Sequence, residues 1–418
     1  MPITQQPQYN PASCYQPVVY KCERSATLPE SVAYVQYIIG IDGIPIALDT
    51  KSPDNDVDNG GGNFTYQFEI DIQSFLQRFL APNRDKSSMF GTLDDLSVVT
   101  NTDAFQEVVV SVSYAIKNEF GIVQDPTFSE LSGANNVTIA KRQNGEPRSL
   151  NQFLTPQIKF LTKRPRFITS EGCPSFLSFY NDQPTLNGFR LTAFDSTGAV
   201  LSTNYSDFGT YQSTEQMTVG VGYSNIDNSL SSNWLNGDDK PDLSAAASYT
   251  IDFGAITTDI NGAVLSYTQL TEQALYEIDT ICGKKLKLLW LNDLGGVDDY
   301  ALPFVNLAAV IASDSFEKPL AWDAGSATPH AQYDYGRLRN NITAQRKYRI
   351  ETRVAPNISE WLRGLLTSAE IYLINPEDSS ELWRVFPDPN TYTERVGFGL
   401  VPVSFDLNLS QDYVVHRV

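Results

Sequence analysis

A two-residue rhythm runs through this chain. LVPVSFDLNLS (400–410) sets Val401, Val403, Phe405, Leu407 and Leu409 against Pro402, Ser404, Asp406, Asn408 and Ser410. Side chains alternate faces along an extended strand, so such a segment buries one face and wets the other. The same period marks FTYQFEIDI (64–72), EVVVSVSYAI (107–116), SYTIDFG (248–254) and RKYRIETRV (346–354). Their expected inner faces begin with Phe64, Tyr66, Phe68, Ile70 and Ile72, then Val108, Val110, Val112, Tyr114 and Ile116. Tyr249, Ile251 and Phe253 continue the series, followed by Tyr348, Ile350, Thr352 and Val354. A helix spreads such a pattern around its whole circumference, so the period selects β-sheet.

Turn chemistry agrees. AYVQYIIGI (33–41) and IPIALDT (44–50) flank Asp42-Gly43, a hairpin signal because a type I′ turn needs positive φ at both central positions. FRLTAFDSTGAVLS (189–202) reads as a hairpin turning at Asp195–Gly198. KSPDNDVDNGGGN (51–63), LSGANN (131–136) and QNGEP (143–147) read as polar loops or turns. Residues 224–247 read as a Ser/Asn/Asp loop or insertion, and 312–344 as an irregular link. Pro402 cannot donate to a ladder, which predicts an edge strand or a strand start.

Helices are few. DIQSFLQRFL (71–80) is amphipathic over a turn and a half to two turns. In NISEWLRGLLTS (357–368), Asn357 with Glu360 makes a start like a capping box, and Trp361, Leu362, Leu365 and Leu366 share a face. Both follow an alternating strand, an echo that leaves an internal repeat open. The expected fold is all-β, with tandem β-sandwich modules over 17–170 and 171–320. A polar arm at 1–16 precedes them, and a smaller C-terminal β-module with one short helix, 321–418, follows.

With 418 residues, 41% of them hydrophobic, there is ample material for packed cores. A net charge of −19 repels nucleic acid at long range, so no sequence-specific nucleic-acid partner is expected. No apolar run approaches the ~20 residues that span a bilayer. The start, MPITQQPQYNPASCYQP, has no apolar leader segment. A soluble protein made in a cytoplasm, without membrane insertion, is therefore expected. Cys14, Cys22, Cys173 and Cys282 form no CxxC pair, which excludes a zinc ribbon. They read as reduced thiols, with a Cys14–Cys22 bridge as the alternative.

Candidate chemistry is sparse. A Ser–His–Asp site has His330 and His416 to draw on, and no G-x-S-x-G elbow accompanies either. Asp54, Asp56 and Asp58 imitate a calcium loop, but Asn59 stands where that loop needs Gly and Thr65 where it needs Glu. A solvated hairpin loop is the reading these departures favour, and the spacing does not decide whether Asp54–Asp58 holds an ion. Two of the 49 acidic residues could form a glycosidase pair, which sequence spacing cannot reveal. Basic residues gather at Lys159, Lys163, Arg164 and Arg166, and again at Arg337, Arg339, Arg346, Lys347, Arg349 and Arg353. Such groups either meet an acidic neighbour, another copy of the chain included, or blunt a solvated strand edge. LKLLWLNDLGGVDDYALPF (286–304) lacks the Lys and Ser/Thr of a phosphate loop, and its aspartates repel phosphate. It reads as a strand, a left-handed turn over Asn292–Gly296, and a return strand carrying Tyr300, Leu302 and Phe304. No catalytic, cofactor-binding or metal-ligating residue is expected, and the chain reads as a non-enzyme.

The order of these motifs resembles virion structural proteins of tailed phages infecting Bacteroidetes, the crAss-like group among them. LLWLNDLGGVDDYALPF resembles their apolar–Leu–Asn–x–Leu–Gly–Gly–x–Asp–x–Tyr/Phe element. FTYQFEIDIQSFLQRFL, FLTKRPR (160–166), NISEWLRGLLTSAEIYLI (357–374) and LVPVSFDLNLSQDY are similar to further elements in the same order. The resemblance spans roughly residues 20–415. WRVFPDP (383–389) departs from it, standing where a proline-valine strand is expected. The resemblance implies a building block of the head–tail connection or tail, present in several copies beside other virion proteins of the portal, neck or tail. It carries over no catalytic residues. The rival classes are a glycan-binding fibre or tail module and, further off, a glycan depolymerase.

Overall fold

The computed structural model describes residues 3–5, 12–13, 17–28, 30–41, 44–79, 93, 95–101, 105–123, 137–140, 150–209, 215–235, 240–279, 285–303, 306–318, 336–368, 370–374, 381–388, 391–394, 399–409 and 413–416. The protein is all-β, with sandwich-like modules and three short α-helices among the described residues. It divides into two compact units. The first comprises Met1–Lys163, Phe167–Asp279 and Asn292–Asp298. The second comprises Arg164–Arg166, Thr280–Leu291 and Asp299–Val418. Residue 320, where a division is expected, lies outside the described residues, as do Asp42-Gly43 and the turns at 131–136 and 143–147. The irregular link expected over 312–344 is not what forms: 312–318 and 336–344 are strand and belong to the second unit, and only 319–335 lie outside the described residues.

In the first unit, chain order runs β1 (Ile3–Gln5), β2 (Ala12–Ser13), β3 (Val19–Thr27), β4 (Ser31–Ile41), β5 (Ile44–Lys51), β6 (Asn55–Asp58) and β7 (Asn63–Asp71). Helix α1 (Gln73–Phe79), β8 (Val98–Asn101), β9 (Phe105–Lys117) and β10 (Val137–Ala140) follow. A four-stranded sheet, β1-β3-β7-β6, and a five-stranded sheet, β2-β10-β9-β4-β5, share one core. Tyr20, Val35, Ile39, Phe68, Ile70, Val108 and Val110 fill it. Each such side chain contributes roughly 1.5–3 kcal/mol when taken from water, so the inner faces of the strands carry this module. Both short strands of the N-terminal segment add to these sheets, β1 against β3 and β2 in parallel against β10.

The same unit continues with β11 (Phe167–Thr169), β12 (Phe176–Asn181), β13 (Gly188–Phe194), β14 (Val200–Asp207), β15 (Glu215–Gly220), α2 (Tyr223–Asp227), β16 (Ser248–Thr258), β17 (Val264–Gln269) and β18 (Ala274–Ile278). A six-stranded sheet, β11-β18-β16-β13-β14 with β17 on β16, faces the three-stranded sheet β12-β15-β8 across a second core. Phe179, Phe189 and Phe253 meet there, with ring centroids of Phe179 and Phe253 4.8 Å apart. Residues 224–247, expected as a loop or insertion, differ from that reading. They contain α2, and they bury Ile226, Trp234, Leu243 and Ala246 in this core. Their polar composition masks four apolar anchors.

One loop design recurs four times among the described residues of this unit. At 118–122, 195–199, 259–263 and 292–296, an Asn or Asp Oδ1 accepts the backbone N–H groups two and four residues ahead, at 2.8–3.0 Å. The fourth residue is glycine with φ between 74° and 85°, the left-handed region that other side chains resist. Short polar side chains that bond the backbone ahead of them hold such turns without tertiary help.

The second unit holds β19 (Lys285–Leu291), most of β20 (Val297–Pro303), β21 (Asn306–Lys318), β22 (Gly336–Val354), α3 (Pro356–Thr367), β23 (Ile371–Ile374), β24 (Leu382–Pro387), β25 (Thr393–Glu394), β26 (Val401–Leu409) and β27 (Tyr413–His416). They form one nine-stranded sheet, β20-β19-β23-β24-β26-β22-β21, with β25 on β26 and β27 on β22. Helix α3 lays Ile358, Trp361, Leu362 and Leu365 on the sheet face of Leu288, Trp290, Ile350, Val403 and Phe405. The capping box expected at Asn357 and Glu360 is absent: Ala355 is the N-cap and Pro356 opens the helix. Proline at the first position has no N–H to satisfy and a preset φ, which replaces a side-chain cap. Pro402 is the second residue of β26, a strand start as predicted. β26 itself lies inside the sheet, between β24 and β22, so the edge alternative does not hold.

Candidate functional site

The stretch 286–304 meets FLTKRPR in the folded chain. In the first unit, the Asn292 side-chain amide donates to the Leu161 carbonyl at 2.7 Å while its oxygen closes the turn. Gly296 lies so close that a Cβ there would stand 2.2 Å from the Leu161 carbonyl oxygen. Thr162 donates to Asp298 at 2.5 Å and Lys163 pairs with Asp293 at 2.8 Å. Gln216 donates to the Gly295 carbonyl at 2.6 Å. The stretch is therefore a hairpin connection, as its sequence predicts; Gly295 supplies its left-handed turn and Gly296 its close packing.

In the second unit the two ends of the same stretch carry a buried charge cluster. Asp299 receives Arg164 Nη2 at 2.6 Å on one carboxylate oxygen and Lys287 Nζ at 2.5 Å on the other. All three side chains are at most 4% exposed. Arg164 lies 5.3 Å from the centre of the Trp361 ring, which Trp290 and Tyr300 also touch at 4.9 and 5.6 Å. A carboxylate held by two cations in such surroundings is a structural tie, since both its oxygens are occupied. Sequence reasoning singled out Arg164 but not Lys287 or Asp299. The available signal was a lysine inside the apolar run LKLLWL, which demands an acidic partner once the strand is buried.

A second polar cluster lies on the outer face of the six-stranded sheet. Asp252 accepts from Arg190 at 2.9 Å, from Tyr267 at 2.5 Å and from Gln273 at 3.0 Å. Burial and the adjacent carboxylate push the Tyr267 hydroxyl far above its ordinary range. Arg190 stacks 4.9 Å from the Tyr267 ring centre, and Tyr205 adjoins that ring at 5.5 Å. Gly254 makes the arrangement possible, because a Cβ there would stand 2.9 Å from the Tyr267 hydroxyl. Alternation marked residue 252 as outward and solvated. Its 1% exposure comes from the ring folded over it, which no local pattern reveals.

The remaining candidates stay dispersed. Asp54, Asp56 and Asp58 lie along the exposed edge strand β6 and its approach, at successive outward positions roughly 7 Å apart. Asp54 is engaged by Lys51 and the Glu69 N–H, and Asp58 by the Gly60 N–H. Among the described residues no group of three or more His, Cys, Asp or Glu side chains could hold a metal ion. Each of the four carboxylates buried among the described residues, Asp252, Asp298, Asp299 and Glu370, accepts from a neighbouring side chain. Cys22 and Cys173 are buried free thiols, and burial pushes Cys22 up to about 12. His330, Cys14 and Cys282 lie outside the described residues.

Of the two basic groups, the first is largely spent within the chain, through Lys163 and Arg164. The second lies on β22. Tyr348, Ile350 and Val354 point into the core, and Arg349 and Arg353 are exposed on the opposite face. Beside them runs an open groove of about 650 Å3, lined by Glu351, Arg353, Thr393, Pro402 and Ser404 among others. Among the described residues no helix is long and apolar enough to cross a membrane. Fold and sites together define an all-β protein of sandwich-like modules whose polar clusters tie strands and loops. Comparison with models of known protein families and with curated proteins finds no match for this chain.

Proposed function

We propose that this chain is a non-enzymatic structural protein of a tailed-phage virion, assembled in several copies into a ring or collar of the neck or tail. It would be made in the cytoplasm of the bacterial host and join portal, neck or tail proteins in the particle. The observation that carries this reading is the meeting of two segments that bear the resemblance. LNDLGGVDDY and FLTKRPR are more than 120 residues apart, yet Leu161, Thr162 and Lys163 bond Asn292, Asp298 and Asp293. Shared motifs that serve as mutual packing partners fit a common architecture better than a common chemistry. Mass spectrometry and imaging of purified phage particles test the reading: the chain is expected in the virion at multiple copies, and its absence removes the proposal. Strands β1 and β2 lie at sheet edges, so deleting residues 1–14 is expected to weaken assembly and leave the cores folded. An unchanged oligomer in the truncated protein removes the arm from the scheme.

A glycan-binding role is favoured by one feature, the Tyr205–Tyr267–Arg190 surface, since tyrosine rings and guanidinium groups suit sugar faces and hydroxyls. Binding to a glycan array that Tyr267→Ala abolishes is the result that would move the assignment there.

A further inference from the structure

We propose that the outward face of β22 and its adjoining groove dock the acidic edge strand β6 of a second copy, joining copies head to tail. This inference rests on the assembly reading above. Its starting point is the distribution of charge. The first unit holds 34 acidic and 14 basic residues, net −20, whereas the second holds 15 and 16, net +1. A contact that pairs first units with each other opposes two strongly negative surfaces. A contact between the second unit of one copy and the first unit of the next avoids that repulsion.

Within the second unit the positive charge is concentrated. β22 carries six basic residues and one acidic residue among 19. Lys347, Arg349, Glu351 and Arg353 share its outward face. Lys347 stands 3.8 Å from Asp388 and Asp406, and Arg349 pairs with Glu351 at 2.9 Å. Arg353 is exposed and makes no ion pair among the described residues. The groove beside it, about 650 Å3, presents the Thr393 and Ser404 hydroxyls, which are 2.7 Å apart. Cation and hydroxyl donors together suit carboxylates carried on an extended strand.

The first unit offers such a strand. β6 is the edge of its sheet and is exposed at all four positions. Asp56 makes no hydrogen bond or ion pair among the described residues, and Asp58 binds only the Gly60 N–H there. Strand geometry spaces Asp56 and Asp58 by the same roughly 7 Å step that separates alternate residues of β22. A heterologous contact of this kind, repeated by a closing rotation, makes a ring.

Sedimentation velocity of the full chain in 50 mM and 500 mM NaCl tests the contact. The wild-type protein is expected to assemble at low salt and to weaken about tenfold or more at high salt, because exposed charges are screened. R349E/R353E and D56K/D58K should each stay monomeric, with melting temperatures near wild type. An equimolar mixture of the two should assemble, since each reversed face then meets an opposite charge. A wild-type protein that stays monomeric at 50 mM NaCl overturns the inference. So does R349E/R353E assembling as wild type does, or a mixture of folded variants that stays apart. If the chain is found in particles while R349E/R353E assembles normally, this contact falls and the virion reading stands. If it is missing from particles, the virion reading falls on its own test.

Discussion

Single residues set the tightest constraints at Gly296, Asp299 and Glu394. A methyl group at Gly296 has to displace the Leu161 backbone, which a loop tied by Asn292 and Thr162 resists. Gly296→Ala is therefore expected to destabilise by about 3 kcal/mol in chemical denaturation, the scale of overpacking in a closed core. Asp299→Ala removes the one carboxylate shown binding both Arg164 and Lys287, leaving two cations in a dry site. A loss of about 3–5 kcal/mol is expected in the same assay. Glu394 accepts from Arg363 at 2.8 Å and Ser359 at 2.6 Å, and these donors hold its carboxyl at about 2, below the ordinary 4.5. A depressed folded-state value gives stability that is present above pH 4.5 and lost as pH falls toward 2. The gap in denaturation midpoint between wild type and Glu394→Gln should accordingly be full at pH 7 and vanish near pH 2. A gap that stays constant over that range contradicts the assignment.

At the level of elements, the recurring Asx–x–x–Gly loops explain why hairpins were the most legible part of the chain. Asp195–Gly198 and Asn292–Gly296 carry their hydrogen bonds within five residues, so nearby sequence suffices to define them. Asn serves at 118 and 292 where Asp serves at 195 and 259, so Asp195→Asn and Asp259→Asn should leave the melting temperature nearly unchanged. The alanine variants should lower it, because two N–H groups lose their acceptor. Helix α3 shows the converse case. Its apolar face was legible from spacing, but its start was not, since Pro356 outcompetes the Asn357–Glu360 pattern. β12 was not foreseen at all: all six of its residues are buried, so it shows no alternation.

For the whole molecule, charge is the dominant variable. With a net charge of −19 and an isoelectric point near 4.5, the protein is expected to be least soluble around pH 4.5, where self-repulsion disappears. Turbidity across a pH series checks this, and a minimum displaced by more than about one pH unit would implicate perturbed titrations. The concentration of that charge in the first unit was not visible from composition, because the unit boundaries interleave along the chain at 164–166, 280–291 and 292–298.

The amino-acid sequence by itself determined that this chain folds as β-sheet, which faces of strands such as β7 and β26 turn inward, and where the hairpins at 195–198 and 292–296 close. In β9 the expected face holds only to Val110, beyond which Ser113 and Ala115 are the buried residues. Period-two burial and Asx–Gly turns are local properties, settled within a few residues. The tertiary structure alone decided that Lys287, Arg164 and Asp299 share one dry site, that Tyr267 covers Asp252, and that residues 224–247 pack into a core. Those outcomes depend on which distant strands become neighbours, and buried charges and close glycine contacts acquire their energies only once that pairing is made.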